Sequence, residues 1–314
     1  MSKGQEKRQL IFEKYITNRN LLIDNKLIDG ERDIYICPIC TKHHKVIVSE
    51  NSLTLEDAPP KSLGGKANTL TCKSCNNTCG HNIDFHLTER LRELDNAKFL
   101  PNTDTKVKIK IGEEVFNGNI SIDENGKMTM THSKKNNHPI KLEEKMIGLK
   151  NGDVVDLNFL KTRVIPEKLE YALLKTGYLL AFEKFGNSMI FNECFNIVRE
   201  QLINPEKRIY PEKFWFTPPY PENMEGVYFV CEKGLECLIA IFNLKTNNTL
   251  RKFGTILPSP INDINTVLDR LGKKFESEKS FKLEMYPWEQ DDTKYLDNID
   301  NIKAMFNWIE ERKK

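Results

Sequence analysis

Apolar residues recurring three and four positions apart predict a helix over 5–28, on Leu10, Ile11, Tyr15, Leu21, Leu22 and Leu27, until Asp29-Gly30 breaks the pattern. From about 103 to 131 the period shortens to two. Val107, Ile109 and Ile111 alternate with lysines, Ile120 and Ile122 precede the turn Asp123-Glu124-Asn125-Gly126, and Met128 and Met130 follow it. This predicts an antiparallel meander. The stretch 132–138 predicts a polar loop. Pro166 opens and Gly186 closes a largely buried helix over 166–185, on Leu169, Leu173, Leu180 and Phe182. A second helix is predicted over 189–203, with Phe191, Cys194, Phe195, Val198 and Leu202 on one face and Asn204-Pro205 as its stop. Residues 210–222, rich in proline and aromatics (Tyr210, Phe214, Trp215, Phe216, Tyr220), predict a packed loop. Strands are predicted from Val227 to Cys231, Cys237 to Leu244 and Leu250 to Leu257, and helices over 261–275 and 293–312. The mixture is that of an α+β protein.

The chain has 314 residues, enough for two or three compact units. With 39% hydrophobic and 29% charged residues it is globular. Lys plus Arg is 47 against 45 for Asp plus Glu, so any nucleic-acid contact must rest on local charge and not on a polybasic coat. No run approaches the ~18 apolar residues of a membrane span, and residues 1–20 show no apolar signal core. The expected location is the cytoplasm.

All six histidines and five of the eight cysteines lie in the first 138 residues, so the chemistry is expected there. Cys37-Pro-Ile-Cys40 and Cys72-Lys-Ser-Cys75 form two C-x-x-C pairs with 31 residues between them. Two such turns can aim four thiolates at one tetrahedral zinc, a closed and therefore structural site. His43 and His44 follow the first pair and offer a substitute ligand. Cys79, Cys194, Cys231 and Cys237 are expected in the core.

Between the pairs lie Glu56-Asp57, Pro59-Pro60 and Gly64-Gly65, with Asn68 beyond them and Asn76-Asn77 directly after Cys75. Phosphodiester hydrolysis needs an activated water and stabilisation of the leaving oxygen, which a divalent ion on hard oxygen ligands supplies. Glu56 and Asn76 carry such oxygens. Over residues 35–98 the sequence resembles the HNH, or ββα-metal, endonucleases stapled by a four-cysteine zinc. Tyr178-Leu-Leu-Ala-Phe182-Glu-Lys-Phe185-Gly186 also resembles segments that accompany such domains in bacterial proteins.

The resemblance implies that Glu56 and Asn76 hold a catalytic magnesium or manganese, that Cys37, Cys40, Cys72 and Cys75 hold the zinc, and that Asn68 orients the general base. The family places a histidine where this chain has Asp57. An unperturbed Asp is a weaker base than His by roughly 2.6 pKa units, a loss of roughly one to two powers of ten in rate. Either Asp57 is the base, or it is a further metal ligand and His81 or His86 is the base.

The expected organisation is a zinc-stapled HNH-like domain with an N-terminal helix over 1–100, followed by a mixed α+β domain over 101–314. The expected function is metal-dependent endonucleolytic cleavage of nucleic acid, DNA before RNA, with a role in bacterial defence implied by the resemblance. The alternative is a catalytically inactive zinc protein that binds nucleic acid or a protein partner, the latter, or oligomerisation, through the C-terminal domain.

Overall fold

The computed structural model describes residues 2–46, 52–132, 137–160, 163–217, 223–247, 249–278, 282–287 and 295–313. Parts of two predicted loops, residues 133–136 and 218–222 with Tyr220, lie outside the described residues. The elements run α1 (Lys3–Asp24), β1 (Tyr35–Ile36), β2 (His43–His44), β3 (Leu53–Asp57), β4 (Ala67–Cys72), α2 (Lys73–Cys79), a π-helical turn (Gly80–Asp84) and α3 (Phe85–Asn96). Then follow β5 (Thr103–Ile111), β6 (Glu114–Ile122), β7 (Met128–His132), α4 (Pro139–Ile147) and β8 (Val155–Phe159). The last stretch is α5 (Pro166–Phe185), α6 (Asn196–Ile203), β9 (Trp215–Phe216), β10 (Gly226–Val230), β11 (Leu238–Lys245), β12 (Leu250–Leu257), α7 (Ile264–Ser277), β13 (Met285–Pro287) and α8 (Ile299–Arg312). The fold is α+β, with antiparallel strand pairs.

The chain forms two compact units, divided differently from the expected boundary at residue 100. One comprises Met1–Thr88, Ile165–Leu244 and Leu250–Lys314; the other comprises Glu89–Val164 with Lys245–Thr249. The C-terminal half therefore belongs with the cysteine-bearing segment. The reason is α5, whose residues are buried on nearly every side, from Tyr171 to Leu179 without a break. A helix apolar all round must be covered all round. It packs on β10 and β12 of the five-stranded sheet (order β13-β10-β11-β12-β9) and on β4 of the two-stranded hairpin β3–β4. Its approach to the sheet is close. A Cβ at Gly177 would stand 3.1 Å from the Thr255 Cβ and 3.2 Å from the Ala240 Cβ.

Helix α1 starts at a capping box. Gln5 N donates to Ser2 Oγ at 3.3 Å, and Ser2 N donates to Gln5 Oε1 at 2.8 Å. It buries Ile11, Phe12, Tyr15, Asn18, Arg19 and Leu22. Leu10, expected on that face, is 68% exposed, and the helix ends at Asp24 instead of 28 because Asn25 caps it through Asn25 Nδ2 to Leu21 O, 2.9 Å. The predicted helix over 189–203 is helical as α6 only from Asn196, after a short turn capped by Asn192.

In the second unit the meander is a four-stranded sheet of order β7-β6-β5-β8. Val107, Ile109, Ile111, Phe116, Ile120 and Ile122 line one face, and Leu142 of α4 packs against them. The turn after β6 closes on Asp123, whose Oδ1 accepts from Asn125 N and Lys127 N at 2.9 and 2.8 Å.

Candidate metal centre and the ion cluster beside it

The tight turn Cys37–Thr41 between β1 and β2 supplies two sulfurs, and the junction of β4 with α2 supplies two more. The Sγ atoms of Cys37, Cys40, Cys72 and Cys75 all lie within 4.8 Å of one another, so this cluster could hold a metal ion. Cys40 Sγ and Cys72 Sγ are 3.3 Å apart, and Cys72 N donates to Cys37 Sγ at 3.4 Å. The four thiols are close enough to hydrogen-bond one another, which draws the Cys40 thiol down and pushes those of Cys72 and Cys75 up. His44 Nε2 stands 3.4 Å from Cys72 Sγ at the rim, outside the four-sulfur set. Tyr178, inside the segment Tyr178–Gly186, donates its hydroxyl to Pro38 O at 2.5 Å and so fixes the first turn from α5.

The hairpin leads straight into the helix, a ββα arrangement. Helix α2 begins at Lys73 and continues through the π-helical turn into α3. Asn76 therefore faces β3 from within the helix, and its Nδ2 donates to Leu55 O at 3.0 Å. The register of β3 on β4 shifts between Glu56 and Asp57. The residue skipped is Asn68 of β4, and on β3 successive side chains alternate between a buried Glu56 and a part-exposed Asp57. Beyond it, Gly65 lets the turn close, since a Cβ there would stand 1.5 Å from Pro59 O.

Glu56 is 4% exposed and both its oxygens are engaged. Oε1 pairs with Lys175 Nζ at 2.6 Å, and Oε2 accepts from Thr71 Oγ1 at 2.9 Å. The same ammonium, 2% exposed, pairs with Asp84 Oδ2 at 2.5 Å. Burial alone would lower the Lys175 pKa, but Asp84 and Glu56 outweigh it and hold the ammonium charged. Burial pushes the Asp84 carboxyl up to about 6 despite Lys175, and its Oδ1 is buried without a hydrogen-bond partner. Two carboxylates thus share one ammonium.

Asp57 is raised above the ordinary carboxylate range, by partial burial first and by Glu56 second. Lys61, Lys7 and Lys175 act in the opposite direction. The Asn68 side chain turns toward α5, where Nδ2 donates to Glu183 Oε2 at 2.6 Å, and it also reaches Ala58 O at 3.3 Å. His81 is exposed on the π-helical turn. His86 is 6% exposed, and its Nδ1 accepts from Ile165 N at 3.1 Å. Burial lowers its pKa, and its Nδ1 is committed to the backbone of Ile165.

The structure thus gathers the four cysteines in one cluster, ties Glu56 to Lys175 and Thr71, ties Asn76 to the backbone of Leu55 next to Glu56, sets Asn68 on Glu183, and leaves His81 exposed. Sequence reasoning missed Lys175, Asp84, Thr71 and Glu183. The available signal was Lys175 itself, the one charged residue in the stretch Tyr171 to Phe182 of the helix, which requires a buried counter-charge. Compared with known proteins, the chain matches no family model, no curated protein and no solved structure.

Proposed function

We propose that the chain is an HNH-type endonuclease that hydrolyses phosphodiester bonds of nucleic acid, DNA before RNA, with zinc on Cys37, Cys40, Cys72 and Cys75. The observation that carries this reading is the position of Asp57. It ends β3 of a ββα unit, across from a register shift that skips Asn68 of β4, and it is part-exposed with its pKa raised above the ordinary carboxylate range, in the direction a general base needs. The chain therefore offsets part of the handicap of an aspartate in this place. Asp57 takes a proton from water, the hydroxide attacks phosphorus, and the P–O bond to the leaving sugar oxygen breaks. Lys7 and Lys61 are exposed, act electrostatically on Asp57, and are the cations that meet a phosphate there. Zinc suits the cysteine cluster, because Zn–S bonds of ~2.3 Å in a tetrahedron set sulfurs about 3.8 Å apart.

The residues expected to hold magnesium or manganese fit less simply. Glu56 is satisfied by Lys175 and Thr71, so a divalent ion reaches Glu56 and Asn76 only in exchange for the ammonium. When bound, such an ion stabilises charge on the leaving oxygen. The Glu56–Lys175 pair is also the observation that favours the second reading, a catalytically silent zinc protein that binds nucleic acid.

Incubating zinc-loaded protein with supercoiled plasmid and with RNA, with magnesium or manganese added, separates the two. The nuclease reading expects nicking that Asp57→Asn slows by roughly a hundredfold without loss of zinc. No cleavage of either nucleic acid with either ion gives the lead to the silent protein.

A further inference from the structure

The sheet of the second unit has two unlike faces. One carries the apolar core. The other brings together Lys106, Lys108 and Lys110 of β5, Asn117, Asn119 and Ser121 of β6, Thr129 and Thr131 of β7, and Asn158 of β8. The register sets Lys106 opposite Asn119, and Lys108 opposite both Asn117 and Asn158. Only Val115 is a large apolar residue on that face. Lys106 and Lys110 are exposed, and neither has an ion pair among the described residues. Lys108 Nζ is steered by Asn117 Oδ1 at 2.6 Å, a neutral partner that leaves its charge uncompensated.

The face holds two acids, both at its margins. Asp104 sits at the start of β5, with Oδ2 accepting from Asn119 Nδ2 at 2.7 Å and Ser121 Oγ at 2.9 Å. Asp156 lies on the edge strand opposite Lys110. The centre is a row of three ammonium groups among amides and hydroxyls.

We infer that this face binds the phosphate backbone of the nucleic acid on which the proposed nuclease acts, an assignment that rests on that reading. Same-face residues on a strand are spaced ~6.8 Å apart, so Lys106 to Lys110 covers ~14 Å, about four nucleotide steps at ~3.4 Å of axial rise. The neighbouring amides and hydroxyls donate and accept without selecting charge, which suits sugar and phosphate oxygens. Among the described residues the face has no aromatic side chain on which a base could stack, so the contact is with the backbone and independent of sequence.

The test is fluorescence anisotropy of a labelled ~30-base-pair duplex, and separately of its single strand, with full-length zinc-loaded protein in magnesium-free buffer at several salt concentrations. The triple variant Lys106→Gln, Lys108→Gln, Lys110→Gln should lower the log–log salt slope by about 2.7 on duplex or about 2.1 on single strand, and weaken binding at 0.1 M salt at least about tenfold. A control that removes three exposed lysines of the other unit, Lys233→Gln, Lys282→Gln and Lys303→Gln, should leave slope and affinity near wild type. Wild-type slope and affinity in the Lys106/108/110 variant, with an unchanged melting curve, would overturn the assignment. So would an absence of salt-dependent binding by wild type. Binding that depends on these lysines, from a protein that cleaves nothing, keeps this assignment while the nuclease reading fails.

Discussion

The sulfur cluster of Cys37, Cys40, Cys72 and Cys75 and the carboxylate cluster of Glu56 and Asp84 each draw one part from hairpin β3–β4 or its junction with α2, and the other from elsewhere: the β1–β2 turn for the sulfurs, the π-helical turn for Asp84. Both gather groups that are anionic in their working form, and both are set mostly away from water. They differ in where the compensating cation comes from. The carboxylates receive it from the chain itself, the Lys175 ammonium at 2.5 and 2.6 Å. The sulfurs have no ammonium or guanidinium partner among the described residues, and a metal ion supplies it in the proposed reading. A soft ligand set with no internal cation is one that a metal completes. A hard ligand set with an internal cation folds without metal and admits one only by exchange. The family resemblance implies two metals on this unit, whereas the geometry provides for one directly and for the other in competition with Lys175.

The largest expected effect comes from removing a sulfur. Cys72→Ser should abolish zinc retention, read by elemental analysis, and unfold the hairpin–helix unit, read by circular dichroism. Structural zinc in small sites contributes on the order of 10 kcal/mol. Next is Lys175→Met, which leaves two buried carboxylates unpaired and should cost about 3–5 kcal/mol in urea denaturation. Added manganese should restore part of that loss in the variant and little in wild type. Stability unchanged in Lys175→Met would mean that the cluster is open to water and that Lys175 is not its compensating cation.

A smaller effect is the pH dependence of Asp84. Its folded pKa of about 6 lies above the unfolded value of ~3.9. The folded state therefore holds the proton more tightly. That contribution is fully present below about pH 4 and is lost as pH rises through about 6, a change on the order of 2–3 kcal/mol. Asp84→Asn should flatten this part of the stability profile, and identical profiles for wild type and variant would contradict it. Smallest is Glu183→Gln, which replaces the charged acceptor of Asn68 Nδ2 and should cost about 1 kcal/mol while leaving zinc in place.

Local signals carried much of the fold. Pro166 and Gly186 bracket α5, the alternation over 103–131 becomes β5 to β7, and the three strands expected between Val227 and Leu257 are β10 to β12. The paired cysteines announced the sulfur cluster because each C-x-x-C closes within one turn. The unit boundary was not legible, since it depends on α5 returning to β4, and helix burial has no local signature that names its partner. For the same reason the contact of Glu56 with Lys175 could not be read, although each residue was in plain view. The identity of Asp57 alone says that a carboxylate stands where the resemblance implies a histidine, a weaker base by ordinary pKa. Its raised pKa depends on packing around the bulge, which spacing does not encode. The bond from Ile165 N to His86 Nδ1 joins residues 79 positions apart, so spacing does not announce it.

The most direct measurement of the central claim, that Lys175 occupies the cation position of the carboxylate cluster, is manganese binding to zinc-loaded wild type and Lys175→Met, followed by electron paramagnetic resonance. The account predicts that the variant binds one manganese at least about tenfold more tightly than wild type, a difference of ~1.4 kcal/mol or more, and that Glu56→Gln in the same background removes the gain. Equal affinity in wild type and Lys175→Met, with both folded and zinc-loaded, would contradict it.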